Sequence, residues 1–242
     1  STMHICRKII PAAVLAGLLI TTGNASAHYI WLEADEAGAR VCYGEAEADL
    51  RERSPGKLDG MNVPRVFAVQ GSGSTTLSVN RTAEHFAVTG ASPGATLLAA
   101  EESAGIRDLG KYGLGMAKSN YYARHGLPRS EEAKASLALD VAGHNPNQLT
   151  VLYRGQPLKD AKVEVIAPNT WVQEHKADAQ GNVVINTPWR GRYVIHVLHV
   201  DPTPGVVEGK RYDSLRNHFT YSFYQAAGTD PGPAVAPRQG VE

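Results

Sequence analysis

Leu149-Thr150-Val151-Leu152-Tyr153, Arg154-Gly155-Gln156-Pro157-Leu158, Ala161-Lys162-Val163-Glu164-Val165-Ile166-Ala167 and Asp178-Ala179-Gln180-Gly181-Asn182 decide the fold. The first and third runs are short, rich in β-branched residues, and place apolar side chains with period two, as a half-buried strand does. The second and fourth are turns, and Gly181 supplies the positive φ that a tight turn needs. A strand Val183–Thr187 follows, and Gly191 leads into another over Arg192–Val200. Phe219-Thr220-Tyr221-Ser222-Phe223 alternates in the same way and reads as the last strand. Short strands at this spacing predict a sandwich of immunoglobulin or transthyretin type.

The same period continues toward the amino terminus. Tyr29–Glu33, Ala39–Tyr43, Arg65–Gln70, Thr75–Asn80, His85–Thr89 and Ala95–Glu101 read as strands. Only Glu131–Leu139 has a helical composition, and it is short enough to be a connection. The expectation is therefore an all-β protein of two β-sandwich modules, 28–140 and 141–224. Residues 225–242 turn to Ala, Gly, Pro and polar side chains, too poor in apolar surface to pack, and predict a loose tail.

Residues 1–27 have the three-part layout of an export signal. Arg7 and Lys8 open it, Ile9–Thr22 is largely apolar, and Ala25-Ser26-Ala27 is a small-residue cleavage site. Pro11 interrupts the apolar run, which falls short of the ~20 residues that span a bilayer, so cleavage is expected rather than anchoring. Ser1-Thr2 ahead of Met3 reads as a cloning remnant. Cys6 lacks the small residues of a lipidation site.

Arg7 and Lys8 are the only Lys, Arg, Asp or Glu residues of that leader, so the remaining 215 residues hold 22 basic against 24 acidic side chains, a net charge near −2. Nucleic acid is excluded as a partner, since its binding needs concentrated positive surface. One cysteine, Cys42, remains, so no disulfide forms within the chain. It lies in the apolar alternation Val41-Cys42-Tyr43 and is expected to be a buried, inert thiol.

Cleavage after Ala27 leaves His28 first. Its α-amine (pKa ~8) and ring Nδ1 (pKa ~6.5) can both shed protons near neutral pH and close a six-membered chelate on a divalent ion. Copper and nickel favour such nitrogen pairs. Among the other histidines, His199 ends a strand and opens the loop His199-Val200-Asp201-Pro202-Thr203-Pro204-Gly205. His218 precedes the last strand, and His85 opens one in the first module; these three are the further candidate ligands. His196 is three residues from His199, hence on the opposite face of a strand, and is expected to be a packed, hydrogen-bonded core histidine. His125, His144 and His175 sit in polar stretches and are expected to be solvated.

Glu45, Glu47, Asp49 and Glu52 with Arg51 and Arg53 look like a solvated, salt-bridged rim. Trp31, Trp171 and Trp189 are expected in packing. Lys118, Tyr121, Tyr122 and Arg124 fall in a predicted turn between modules. Gly110, Gly113 and Gly115 around Lys111 lack the strand and helix of a phosphate loop. No HExxH, HxxxH or CxxC spacing occurs, and no serine or cysteine nucleophile has a nameable base.

The run Gly155–Val165, then Asp178–Gly181, then Pro188-Trp189-Arg190-Gly191-Arg192-Tyr193 resembles the carboxypeptidase regulatory-like β-sandwich. Over residues 28–224 the chain resembles a family of two-part periplasmic proteins often described as periplasmic components of cobalt or nickel uptake. The matching segments are His28–Glu33, Tyr43-Gly44-Glu45 with Leu50-Arg51-Glu52, Lys118–Arg124, His199-x-Asp201 with Gly205, Tyr212-Asp213 and Arg216-x-His218. The resemblance implies a periplasmic protein handling a divalent transition metal (nickel, cobalt, copper or iron) and passing it to an inner-membrane transporter or outer-membrane receptor. The expected function is thus non-enzymatic metal binding. Two alternatives stand beside it: a copper histidine-brace oxidase, and a structural or adhesion module in which the histidines are incidental.

Overall fold

The computed structural model describes residues 28–134 and 136–236, and the backbone of 238–239. The expected leader, residues 1–27, lies outside the described residues. The first half forms β1 (Tyr29–Asp35), β2 (Gly38–Glu45), β3 (Leu50–Arg51), β4 (Arg65–Gln70), β5 (Gly73–Arg81), β6 (Phe86–Thr89), β7 (Leu97–Glu101), β8 (Ile106–Asp108) and β9 (Met116–His125). The second half forms β10 (Leu139–Asn145), β11 (Gln148–Tyr153), β12 (Gln156–Pro157), β13 (Lys162–Ile166), β14 (Val172–Lys176) and β15 (Asn182–Val184). It continues with β16 (Gly191–Asp201), β17 (Gly205–Val207), β18 (Lys210–Tyr212), β19 (Ser214–Gln225) and β20 (Arg238–Gln239). The protein is all-β, as its period-two pattern predicts.

One large sheet runs β14-β13-β16-β19-β9-β7-β4-β5-β6-β2-β3-β20, with β1 on β2 and β8 on β9; β10, β11, β12 and β15 make a second, smaller sheet. Neighbours are antiparallel except β19 beside β9 and β20 beside β3. The β16–β19 ladder is the longest, from Gly191↔Gln225 to Asp201↔Leu215. One face of this region carries Val163, Val165, Tyr193, Ile195, Val197, Phe219, Tyr221 and Phe223, packed with Leu139, Val141, Leu149 and Val151 of the smaller sheet. Each such fully buried aliphatic side chain contributes roughly 1.5–3 kcal/mol.

The β1–β2 hairpin covers the other face. Ile30, Leu32 and Val41 pack with Val66, Phe86, Leu97 and Ala123, while Tyr29, Trp31 and Cys42 pack with Ile166 and Val194. Since β1 has a strand neighbour on one side only, its other backbone edge needs partners. Thr220 Oγ1 and Ser222 Oγ supply them, donating to the carbonyls of Ile30 (2.7 Å) and Leu32 (2.6 Å). Buried Glu33 anchors the same hairpin: it accepts from Arg51, Arg192, Arg40 (3.1 Å), Trp31 Nε1 (3.1 Å) and the Cys42 thiol (3.2 Å). Burial raises the Glu33 pKa, but the three guanidiniums outweigh it and hold the carboxyl at about 2. Cys42 is buried, and its thiol is pushed well up by that burial and then by Glu33.

Several sequence expectations need correction. Glu131–Lys134 is turn and bend, and Leu139 already begins β10; Leu137 and Leu139 are drawn into the core, where Asp140 holds the Leu137 amide (3.2 Å). The predicted turn at Lys118–Arg124 is instead the middle of β9, a central strand. Its inward polar side chains disguise it, because Lys118, Asn120 and Arg124 are all buried against internal partners. His125, at the end of β9, is half-buried on Ser222 Oγ (3.1 Å), and His175 is half-buried in β14; His144 is exposed. Trp171 is 65 % exposed, its ring edge-on to Trp189 at 5.4 Å. Beyond Tyr224 the chain bonds back at Thr229 to Pro188 and Arg190, and the backbone of Arg238–Gln239 pairs with Leu50–Arg51.

Candidate functional site

His28 immediately precedes β1 and is buried. Its Nε2 lies 2.5 Å from Glu52 Oε1, and its Nδ1 lies 3.2 Å from Glu45 Oε1. Glu45 ends β2, and Glu52 follows β3, which folds back on β2 through Gly44↔Arg51 and Glu45↔Leu50. Gly44 makes this return loop close: at φ +149° a Cβ there would stand 2.0 Å from the Leu50 carbonyl oxygen. The Glu52 amide then bonds the Tyr43 carbonyl (2.8 Å), fixing the carboxylate under the imidazole. The acidic loop is thus no solvated rim. Glu52 is buried, Glu45 half-buried, and Glu47 accepts from the Tyr29 hydroxyl.

A train of rings connects His28 to the sheet behind it. His28 meets Tyr43 edge-on (5.3 Å), Tyr43 meets Tyr121 edge-on (6.4 Å), and Tyr121 stacks on His218 (5.5 Å). His218 in turn faces His196 across 3.4 Å between Nδ1 and Nε2, and His196 stacks on Tyr29 at 4.1 Å. The β16–β19 and β19–β9 registers create this grouping: His196 is opposite Thr220, Leu198 is opposite His218, and His218 is opposite Tyr121. His196 and His218 therefore lie on one face, one residue pair apart. His196 is buried and hydrogen-bonded, as expected of it.

Burial holds the His218 pKa well below the ordinary imidazole range, and His196, Arg216 and His28 add to the depression. His218 is therefore neutral around pH 7, with a lone pair to offer. The neighbouring phenols of Tyr43 and Tyr121 are pushed up, chiefly by burial.

The other candidate ligands lie elsewhere. His199 is opposite Asn217, on the reverse face of β16 from His196, with its ring edge-on to Tyr153 at 4.4 Å. Tyr153 donates to Asp201 Oδ2 (2.6 Å), and Asn217 donates to the His199 carbonyl (3.4 Å). His85 precedes β6, where its backbone bonds the Thr82 hydroxyl and amide; burial and then Arg40 lower its pKa. The structure thus brings His28 and His218 into one cluster and sets His199 on the far face of the sheet.

Sequence reasoning gave His196, Glu45 and Glu52 no place among the candidate ligands. The signal for the carboxylates is the spacing Tyr43-Gly44-Glu45 then Leu50-Arg51-Glu52, where the glycine marks a close backbone return. Among the described residues no three His, Cys, Asp or Glu side chains form a complete cation cage.

Comparison with curated proteins and with solved structures gives no significant match. Over residues 138–201, which span β10 to β16, the chain matches a family described as a domain of unknown function (DUF4198).

Proposed function

We propose that this is a periplasmic metal-binding protein serving transition-metal uptake or homeostasis, which takes a divalent ion as cargo at an amino-terminal His28. One observation carries the reading. His28 Nε2 is held by buried Glu52, which leaves Nδ1 as the ring nitrogen placed to close a six-membered chelate with the α-amine. Glu45 Oε1 lies 3.2 Å from that nitrogen, so the same carboxylate that pairs with a ring N–H is placed to join an ion held there. A carboxylate accepting the second ring N–H is the usual support of a metal-bound histidine.

The proposed donors are the amine, His28 Nδ1 and the carboxylate of Glu45, a set that suits a divalent transition ion, with the imidazole of His218 within electrostatic reach of His28. Nitrogen donors of this kind suit copper and nickel first, then cobalt and iron. His28 and Glu45 hold the ion, Glu52 orients the ring, and Tyr43 packs edge-on beside it. A membrane transporter or receptor would receive the cargo.

The test compares two forms of the protein, one beginning at His28 and one retaining Ala27, by calorimetric titration with Cu²⁺ and Ni²⁺. Binding weakens by more than an order of magnitude when Ala27 occupies the amine. Equal affinities would remove the chelate, and so would mass spectrometry placing the exported terminus at another residue.

A further inference from the structure

We infer that Glu164 and His196 are positioning residues which hold His218 in a single tautomer, protonated on Nδ1 with the lone pair on Nε2. The ligand of that lone pair rests on the metal-binding reading above; the tautomer does not.

The geometry begins at the surface. Glu164 on β13 is directly opposite His196 on β16, and its Oε2 lies 4.0 Å from His196 Nδ1. A carboxylate accepts only, so the favourable arrangement puts a proton on His196 Nδ1 and leaves Nε2 as the acceptor. That Nε2 faces His218 Nδ1 at 3.4 Å. The ring centroids are 5.7 Å apart with planes within 11°, and this separation exceeds the N···N distance by two ring radii. The imidazoles therefore lie edge to edge in nearly one plane, with one proton between two nitrogens. Because His196 Nε2 accepts, His218 Nδ1 carries that proton, and His218 Nε2 is unprotonated.

The surroundings keep the rings from turning. Tyr29 stacks on His196 and Tyr121 on His218, each nearly parallel to its imidazole. The Tyr29 hydroxyl is itself fixed by Glu47 and by the Ala46 amide (2.8 Å). His218 Nε2 makes no hydrogen bond among the described residues, and it lies at the ring edge turned away from His196. The outcome is a carboxylate–histidine–histidine line that reaches from a half-buried acid to the far nitrogen of a buried histidine. It repeats, through one more ring, the support that Glu52 gives His28 directly.

The tautomers are read by long-range ¹H–¹⁵N correlation on the metal-free chain labelled at histidine, near neutral pH. The wild type shows Nδ1–H on both His196 and His218. In Glu164→Leu, His196 reverts to the Nε2–H form that free imidazole side chains prefer and donates to His218 Nδ1, so both rings switch together. Glu164→Gln, whose amide oxygen still accepts, retains the wild-type pattern. The switched variant binds Cu²⁺ or Ni²⁺ about 10- to 100-fold more weakly, the range for loss of such a support. An Nε2–H His218 in the wild type, or tautomers indifferent to Glu164→Leu, overturns the assignment. A correct tautomer switch with unchanged metal affinity overturns the positioning role. If the wild-type chain beginning at His28 takes neither metal, the metal-binding reading fails, and the spectra still decide the line.

Discussion

Arg124 and Asp140 meet as a two-pronged ion pair sealed inside the protein. Nε reaches Oδ1 at 2.7 Å and Nη2 reaches Oδ2 at 2.8 Å, with side chains only 2 % and 1 % exposed. The remaining polar atoms are also used: Asp140 accepts the amides of Leu137 and Val141, and Arg124 Nη1 donates to the Leu127 carbonyl. The pair joins β9 of the large sheet to β10 of the small one.

Removing one member leaves the other charged and buried, which costs about 3–5 kcal/mol, whereas replacing both with apolar residues of similar volume is close to neutral. Asp140→Ala is therefore expected to lower unfolding stability by that amount in denaturant titration. Arg124→Met with Asp140→Leu recovers most of the loss. A double variant as unstable as the single one would mean that the pair contributes more than mutual compensation.

Glu33 makes stability sensitive to acid. Its folded pKa of about 2 lies below the ordinary 4.5, so the unfolded chain binds the proton more readily. The contribution is complete above pH 4.5 and is lost as pH falls through about 2, a loss of roughly 3 kcal/mol at ~1.4 kcal/mol per pKa unit. Glu33→Gln should flatten the stability profile between pH 4.5 and 2. A variant that keeps the wild-type slope there would assign the acid sensitivity to other carboxylates.

His125 acts in a higher window. Burial, then the charge of Arg192, lowers its pKa from 6.5 to about 4, with Glu33 opposing. The folded protein resists this proton while the unfolded chain takes it below 6.5, so stability declines as pH falls from 6.5 to about 4. His125→Gln, which cannot titrate, should lose that part of the decline. Thermal unfolding at pH 7.0 and 4.5 measures the difference, and an unchanged difference would count against it.

What the sequence discloses follows from where polar residues point. β11 of the smaller sheet and β13 and β16 of the large one turn apolar residues toward the core between the two sheets at every second position, so their alternation is legible. β9 is equally buried, but Lys118, Asn120 and Arg124 face inward and find partners far along the chain, such as Asn217, so no pattern survives. Glu45 and Glu52 fail for a related reason: seven residues apart in an acidic stretch, they look solvated until the return at Gly44 folds one over the other. The pairing of His196 with His218 depends on the relative register of β16 and β19, which neither strand encodes alone.

That register also separates two histidines that the chain places symmetrically about the β16–β19 connection. His218 lies on the face covered by the β1–β2 hairpin, within electrostatic reach of His28, while His199 lies on the other face against Tyr153. If the ion is held at His28, the two should respond differently to substitution. His218→Ala is expected to reduce Cu²⁺ or Ni²⁺ affinity by at least tenfold, in keeping with loss of one donor or its support. His199→Ala is expected to leave affinity within a factor of about two, since additivity holds for sites without shared partners. Titration of both variants beside the wild type, each first checked for unaltered far-ultraviolet dichroism, separates the cases. Loss of binding in His199→Ala with retention in His218→Ala would move the centre to the Tyr153–Asp201 face and leave Glu52 a purely structural acceptor for His28.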